Sequence, residues 1–247
     1  MSAAGIKKAL LAGAFFVFWA TVAAGACEPV ARVFDGDSFL LADQREVRLL
    51  GINTPELGRA GAPDQPLARA ARERLVALLA DRCVTLVFDR EREDRYGRLL
   101  ASVRLEDKTR VEAVLLREGL AWTVAVPPNL AHLKRHQAAE AQARARGLGV
   151  WGEPAYAPAA AERLTPQDTG FRIVQGTVRR VAQGAYGAFL DLAPGVTLRI
   201  AREDLRYFHL KPERFLGRRV VARGWVAEYK GGLRLRLTHP AMLTFAE

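Results

Sequence analysis

RLLGINTPE, residues 48–56, is the stretch of this 247-residue chain that decides the fold. It starts within an apolar run at 47–50, which is typical of a short strand, and passes through Gly51 into a polar loop. Two similar apolar runs precede it, at 30–34 and 39–41, and turn-forming residues separate all three. The sequence therefore predicts three consecutive strands that lead into a loop rich in oxygen-bearing side chains.

Beyond this loop, the apolar spacing becomes helical and then alternates again. Residues 64–81 place apolar side chains at i, i+3 and i+4 with charges on the other face, which predicts an amphipathic helix. Further patterns predict strands at 84–88 and 99–105 and helices at 109–118 and 129–146. We take Asn129 as the N-cap of the last helix. This order is typical of an α+β, mostly β protein: a five-stranded oligonucleotide-binding (OB) barrel with three packed helices.

The rest of the chain divides into a short connection and a second β-rich region. Residues 153–168 are rich in Ala and Pro and follow no helical or strand period, so we interpret them as a linker. From Phe171 onward, five short apolar segments alternate with Gly and Pro turns, which predicts a second small OB-like domain. The predicted division is 1–26 signal peptide, 27–152 first barrel domain, 153–168 linker and 169–247 second β-rich domain.

The N-terminus has the parts of a secretory signal peptide. A basic segment is followed by the uncharged residues 9–24 and by small residues at 24–26. Cleavage there predicts an exported protein, periplasmic or extracellular, whose mature chain begins near Cys27. Two alternatives stay open. One is an uncleaved membrane anchor, and the other is a lipid anchor at Cys27, which normally requires a large aliphatic residue where Ala24 stands.

The net charge and the two cysteines indicate which kinds of partner and which cellular compartment suit this protein. The formal net charge is +10, and most of the 37 basic residues are Arg, whose side chain binds phosphate in a bidentate manner. This favours a polyanionic partner, either nucleic acid or an anionic lipid surface, although an Arg-rich genome would also raise the count. Cys27 and Cys83 both lie in the exported part, where they form either a disulfide or two separate thiols.

Three segments carry the oxygen and guanidinium groups needed to hydrolyse a phosphodiester: 35–38, 48–56 and 94–98. We predict that Asp37, the Asn53 amide oxygen and the Thr54 carbonyl hold Ca²⁺, a cation that prefers oxygen ligands. Such an ion would neutralise charge on the phosphoryl oxygens and orient the attack. Asp35 is interpreted as a turn residue that bonds its own backbone.

The same segments supply a base and two cations. Glu56 follows Pro55, which stiffens the loop, and is placed to take a proton from an attacking water. Arg48 and Arg98 would bind the phosphate oxygens as charge builds up in the transition state. Tyr96 is the aromatic residue beside them, suited to stack on the substrate or hydrogen-bond to it. Each residue alone also fits a turn or a surface ion pair, but their joint occurrence in this order favours a site.

The Asp-Gly-Asp turn at 35–37, the segment 48–56 and Tyr96-Gly97-Arg98 together resemble the staphylococcal nuclease (thermonuclease) family, over roughly 30–152. The resemblance implies a calcium-dependent endo- or exonuclease on an OB barrel, acting on DNA and RNA. By position, it implies a calcium ligand at Asp37, the general base at Glu56, the phosphate-binding catalytic pair at Arg48 and Arg98, and a substrate contact at Tyr96.

Asn53 departs from the family pattern, in which a second metal carboxylate stands at this position. We expect calcium binding to be weaker by roughly tenfold, since the charge of the ligands tunes affinity. Beside the phosphodiesterase, two alternatives remain: a non-catalytic nucleic-acid-binding protein of the same fold, and an exported structural or interaction protein. The basic run 217–225 in the second β-rich domain is a candidate accessory nucleic-acid surface.

Overall fold

The computed structural model describes residues 27–58, 61–209 and 211–246. The predicted signal peptide therefore lies outside the described residues. Within those ranges, none of the helices has both the length and the apolar character needed to cross a membrane.

The first barrel follows the predicted OB order. Its strands are β1 (Glu28–Val33), β2 (Ser38–Leu41), β3 (Glu46–Leu49), β5 (Cys83–Glu93) and β6 (Leu99–Arg104). They close in the order β1-β2-β3-β6-β5, with β3 and β6 parallel and the other pairs antiparallel. A short ribbon pairs β4 (Ile52–Asn53) with β7 (Trp122–Thr123). Phe39, Val47 and Val103 are buried on the inward face of their strands, as strand alternation requires.

Three helices pack on this barrel, which confirms the predicted fold class. They are α1 (Ala68–Leu79), α2 (Val111–Arg117) and α3 (Leu133–Ala145). The predicted N-cap of α3 is wrong, because this helix starts after His132. Asn129 instead bonds strand β5: its Oδ1 accepts from the Glu91 N–H and its Nδ2 donates to the Glu91 carbonyl, both at 2.9 Å.

The C-terminal part is β-rich, as predicted. Its strands are β8 (Ala159–Ala160), β9 (Gly170–Thr177), β10 (Arg180–Gly184), β11 (Gly187–Ala193), β12 (Val196–Ala201), β13 (Arg219–Tyr229), β14 (Gly232–Arg236) and β15 (Leu243–Phe245). Six of these strands pair in the order β10-β11-β12-β14-β13-β9, with β8 added beyond β9 and β15 beside β13. The first and last of the six, β10 and β9, are consecutive in the chain. With β9 and β10 taken as halves of one bent strand, this sheet follows the strand path of the first barrel, including one parallel pair, β12 with β14. We call this C-terminal β-rich region the second barrel.

The segment 153–168 is ordered, although no period is visible in its sequence. It forms 3-10 turns at Pro154–Tyr156 and Ala161–Arg163, and between them β8 pairs in parallel with β9. The Tyr156 hydroxyl donates to the Pro66 carbonyl at 2.6 Å, and its ring meets Trp122 edge-on at 4.7 Å. These contacts hold the segment against the first barrel. The domain limits themselves stay a prediction.

The first barrel and the second barrel are in contact with each other. Val124 and Ala125, which follow β7, belong to the hydrophobic core of the C-terminal barrel. The Ala125 carbonyl accepts a hydrogen bond from the Thr238 hydroxyl at 2.6 Å. Across the same boundary, Arg223 forms a bidentate ion pair with Glu140 at 2.7 and 2.9 Å. The barrels therefore meet through apolar, hydrogen-bonded and ionic contacts.

A disulfide joins Cys27 to Cys83, with their Cα atoms 5.2 Å apart. It lies beside the seam between β1 and β5, where Glu28 pairs with Val84 and Pro29 with Cys83. A sulfur in a disulfide is not available for a lipid thioether, so this bond and a lipid anchor at Cys27 exclude each other.

Candidate active site

A cavity of about 530 Å³ opens where β3 and β4 meet the β5–β6 loop and the second barrel. Five of the seven predicted site residues line it: Asp37, Arg48, Asn53, Glu56 and Arg98. The structure thus brings together groups that lie up to about sixty positions apart in the sequence. Thr54 and Tyr96 lie beside the cavity and do not line it.

Two turns in this region contain a glycine, Gly36 and Gly51, at a position where a side chain would not fit. A Cβ at Gly36 would lie 2.7 Å from both the Ala71 Cβ and the Thr54 hydroxyl oxygen, so the Asp-Gly-Asp turn needs glycine there. Gly51 has φ +73°, and a Cβ would lie 2.7 Å from the His136 Nδ1. A positive φ and a close neighbour both favour glycine at that turn. Its sharp bend takes the chain from β3 into β4 and thereby places Asn53.

Arg48 connects two of the predicted metal ligands. Its Nη1 lies 2.8 Å from Asp37 Oδ2, and its Nη2 donates to Asn53 Oδ1 at 3.0 Å. The pairing of Ser38 with Arg48 between β2 and β3 sets this position. Oxygens from Asp37 and Asn53 therefore converge on one positively charged group.

Neighbouring backbone groups fix both the Asp37 and the Asn53 side chains. The Thr54 N–H donates to Asp37 Oδ2 at 2.8 Å, and the Thr54 carbonyl accepts from Asn53 Nδ2 at 3.1 Å. Asp35 has the predicted turn geometry, since its Oδ1 accepts from the Ser38 hydroxyl at 2.7 Å and from the Asp37 N–H at 3.1 Å. Asp37 and Asn53 are both buried, so this oxygen cluster is rigid and shielded from water.

Burial raises the pKa of Asp37 to about 7. Arg48 opposes this shift, and the carboxylates of Asp35 and Glu56 add to it. Positive charge close to Asp37, such as that of Arg48, therefore favours its ionised form. Carboxylate, amide and carbonyl oxygens around one cationic position are the donor types that suit a hard divalent cation. The residues present fit such an ion.

Glu56 stands at the mouth of the cavity, where its residue is exposed. Its backbone is anchored on both sides by Gln65: the Glu56 N–H donates to Gln65 Oε1 at 2.9 Å, and the Gln65 N–H donates to the Glu56 carbonyl at 3.0 Å. Glu56 is thus an exposed residue on an anchored loop beside the cavity, a suitable arrangement for proton transfer with water.

Arg98 reaches the cavity from the β5–β6 loop. Its Nε donates to Asp94 Oδ2 at 2.8 Å, and its Nη1 lies 3.8 Å from Glu46 Oε1. Burial works to raise the pKa of Asp94, but hydrogen bonds from Arg98 and Tyr96 outweigh it and lower that pKa. Tyr96 is 69% exposed, with the guanidinium carbon of Arg98 5.7 Å from its ring centre. It lies at the outer edge of the site.

Part of the lining comes from segments of the chain that the sequence patterns did not indicate. Asn129 and Val126 contribute from the segment before α3, and Trp225 contributes from β13 of the second barrel. The run 217–225 stays a candidate accessory nucleic-acid surface, but Arg223 does not belong to it, because its guanidinium pairs with Glu140 and both side chains are largely buried. Strand alternation indicates that Trp225 faces outward, but no local signal indicates what it faces.

Known proteins with similar sequences bear on this site. Residues 46–153 match the family of staphylococcal nuclease homologues. The chain is 36% identical over 125 residues to the thermonuclease of Staphylococcus intermedius, covering 49% of this chain and 74% of the relative. It is 34% identical over 125 residues to the thermonuclease of Staphylococcus hyicus, covering 49% and 73%. It is also 33% identical over 130 residues to the endonuclease YncB of Bacillus subtilis, covering 51% and 61%.

Proposed function

Because this chain belongs to the staphylococcal nuclease family, we propose that it is an exported, calcium-dependent nuclease that hydrolyses phosphodiester bonds of DNA, RNA or both. Family membership supports the coarser statement, a hydrolase that acts on nucleic acid. The observation that carries the proposal is the shared cavity, which collects Asp37, Arg48, Glu56 and Arg98.

In this proposal Asp37, Asn53 and the Thr54 carbonyl hold the calcium ion. Bound calcium would supply positive charge to the phosphoryl oxygens. The side chains of this protein then have separate tasks. Arg48 and Arg98 bind phosphate oxygens and offset the charge that develops during attack. To bind phosphate, each guanidinium must share or give up its present contact, Arg48 with Asp37 and Arg98 with Asp94.

Glu56 acts as the general base. Its carboxylate takes a proton from a water molecule while the water oxygen forms a bond to phosphorus, and the bond from phosphorus to the leaving oxygen breaks. A positioned base of this kind typically contributes about 10²- to 10⁴-fold to the rate. Glu56 fits the role because it lies at the mouth of the cavity, where water has access.

Export is supported by two features. The first is the N-terminal pattern of a signal peptide, which lies outside the described residues. The second is the Cys27–Cys83 disulfide, since such bonds persist mainly in oxidising compartments such as the periplasm or the extracellular space.

The proposal is tested by plasmid degradation with the wild-type protein and Glu56→Gln, first with millimolar calcium and then with a chelator. We expect cutting that needs calcium and falls at least about 100-fold in Glu56→Gln. Glu73→Gln, a change of the same chemistry at an exposed position on α1, serves as the control and should cut like wild type. Equal cutting by wild type and Glu56→Gln would refute the role of Glu56.

One observation favours a second candidate, a non-catalytic nucleic-acid-binding protein. Asn53 is neutral at a position that faces Asp37 across Arg48, so the site has one carboxylate fewer for a metal. This candidate predicts that the wild-type protein does not cut at any calcium concentration. It also predicts DNA binding that weakens steeply as salt rises, because phosphate contacts release counterions.

A further inference from the structure

One wall of the candidate active site belongs to the second barrel. Trp225 on β13 lines the cavity together with Arg48, Arg95 and Arg98, and the residue is 45% exposed. Of the described residues that line this cavity, Trp225 alone is aromatic. The lining also carries five carboxylates, so an exposed aromatic ring here stands beside both the guanidinium groups that suit phosphate and the acidic groups of the predicted metal site.

The position of Trp225 follows from the alternation of β13. Val220, Ala222 and Val226 point into the second barrel and are buried, which turns the intervening side chains outward. Arg223 is one of these, and its bidentate pair with Glu140 fixes this face of the strand against α3. Trp225 is the next outward residue along the strand.

Ring contacts also hold Trp225 in place. Its ring meets Phe171 edge-on, with centres 5.2 Å apart at 75°, and Phe171 lies against Trp122 at 5.0 Å. Trp122 is the strand partner of Asn53 in the β4–β7 ribbon. A continuous series of packed rings therefore links Trp225 to the strand that carries a predicted metal ligand. Aromatic pairs of this kind restrict the ring while leaving its other surfaces free for contact.

We propose that Trp225 stacks on an unpaired base of the nucleic acid whose phosphate occupies this cavity, so that the second barrel makes the site selective for single strands. This inference rests on the proposed nuclease function. Proteins that bind single strands combine cationic groups along the backbone with aromatic rings that stack on bases. In a duplex the bases are already paired and stacked, so stacking on Trp225 first requires opening a pair.

Binding is measured on the full chain in a chelator, so that no strand is cut. The probes are a labelled oligothymidine and an abasic oligonucleotide of the same length, which keeps every phosphate and lacks every base. The variants are Trp225→Ala and Trp225→Phe. The control is Tyr186→Ala, which removes an aromatic residue that is 77% exposed between β10 and β11, outside the cavity lining.

We expect Trp225→Ala to bind oligothymidine between about fivefold and about a hundredfold more weakly than wild type, the range of one lost base stack. It should bind the abasic probe as wild type does. Trp225→Phe should recover most of the affinity, and Tyr186→Ala should change neither probe. Cleavage with calcium should show a raised KM for single strands in Trp225→Ala, with kcat nearly unchanged.

Equal loss of affinity for both probes, or no loss for either, would overturn the inference, because a stacking residue must distinguish a base from its absence. The two proposals fail separately. If the wild-type protein cuts and Trp225→Ala binds oligothymidine as well as wild type, only the stacking role of Trp225 is refuted. Suppose instead that the wild-type protein never cuts, but Trp225→Ala binds oligothymidine more weakly and the abasic probe normally. That result would refute only the proposed nuclease function.

Discussion

Removing Arg223 should destabilise the whole protein strongly. Its side chain is 14% exposed and that of Glu140 is 8% exposed, so both charges of this pair are largely out of water. Glu140 Oε1 also accepts a hydrogen bond from the Thr123 N–H at 2.8 Å. In Arg223→Ala, the Glu140 carboxylate would keep, among the described residues, only that backbone partner, and it would be left as a largely buried charge without a cation.

The magnitude follows from that imbalance. Breaking a buried ion pair by removing one partner typically costs about 3–5 kcal/mol, much of it the penalty for the charge left behind. Adding Glu140→Gln to Arg223→Ala should therefore restore part of the lost stability, since the amide oxygen still accepts from Thr123 without a charge. A matched exposed pair is the control. Arg180 lies 2.7 Å from Asp191 but its side chain is 73% exposed, so Arg180→Ala should cost less than about 1 kcal/mol.

Urea denaturation at pH 7, followed by tryptophan fluorescence and by circular dichroism, measures these free energies of unfolding. We expect Arg223→Ala to lose several times more stability than Arg180→Ala, and the double variant to be more stable than Arg223→Ala. If Arg223→Ala unfolds within about 1 kcal/mol of wild type, the pair does not hold the two barrels together, and the reasoning from burial is refuted.

Two further changes probe the site and the core. Asn53→Asp should lower the calcium concentration for half-maximal cleavage by roughly tenfold, because it adds a carboxylate opposite Asp37; an unchanged midpoint would remove Asn53 from the metal site. Burial raises the pKa of Glu112 to about 8, whereas the unfolded chain releases this proton near 4.5, so the stability of the wild type falls as pH rises between those values. Glu112→Gln, which can still accept from the Val103 N–H, should therefore gain stability relative to wild type by up to about 1.4 kcal/mol for each pH unit in that window. Melting temperatures of both proteins at pH 5 and pH 8 measure this gain, and an equal difference at the two pH values would contradict it.

Local patterns were enough to predict the first barrel and its helices. Apolar alternation and helical spacing depend on neighbours within a few residues, so β1 to β3, α1 and α2 were visible in the sequence. The start of α3 was not visible in the same way. Asn129 has the chemistry of an N-cap, yet its side chain bonds Glu91, which lies 38 positions earlier in the chain. Long-range partners of this kind leave no periodic trace.

The same limit applies to the site. Turn chemistry and residue spacing brought Asp37, Arg48, Glu56 and Arg98 to attention, and the folded chain collects them in one cavity. Trp225 was not predicted to join them, because strand alternation shows which way a residue points and not which surface covers it. Arg223 was misjudged for the same reason: in a run of basic residues, a buried partner on α3 is invisible.

The Cys27–Cys83 bridge has a consequence for the Asp-Gly-Asp turn at 35–37, which carries a predicted metal ligand. It ties down the residue just before β1, while the Asp-Gly-Asp turn comes just after the same six-residue strand, roughly 20 Å away at about 3.3 Å per residue. Between β1 and β5 only two residue pairs are in register, so without the bridge this end of the strand is free to peel from its neighbour. The bridge therefore holds the end of β1 that lies opposite the turn, and its reduction would leave the strand that leads to Asp37 with fewer restraints against β5.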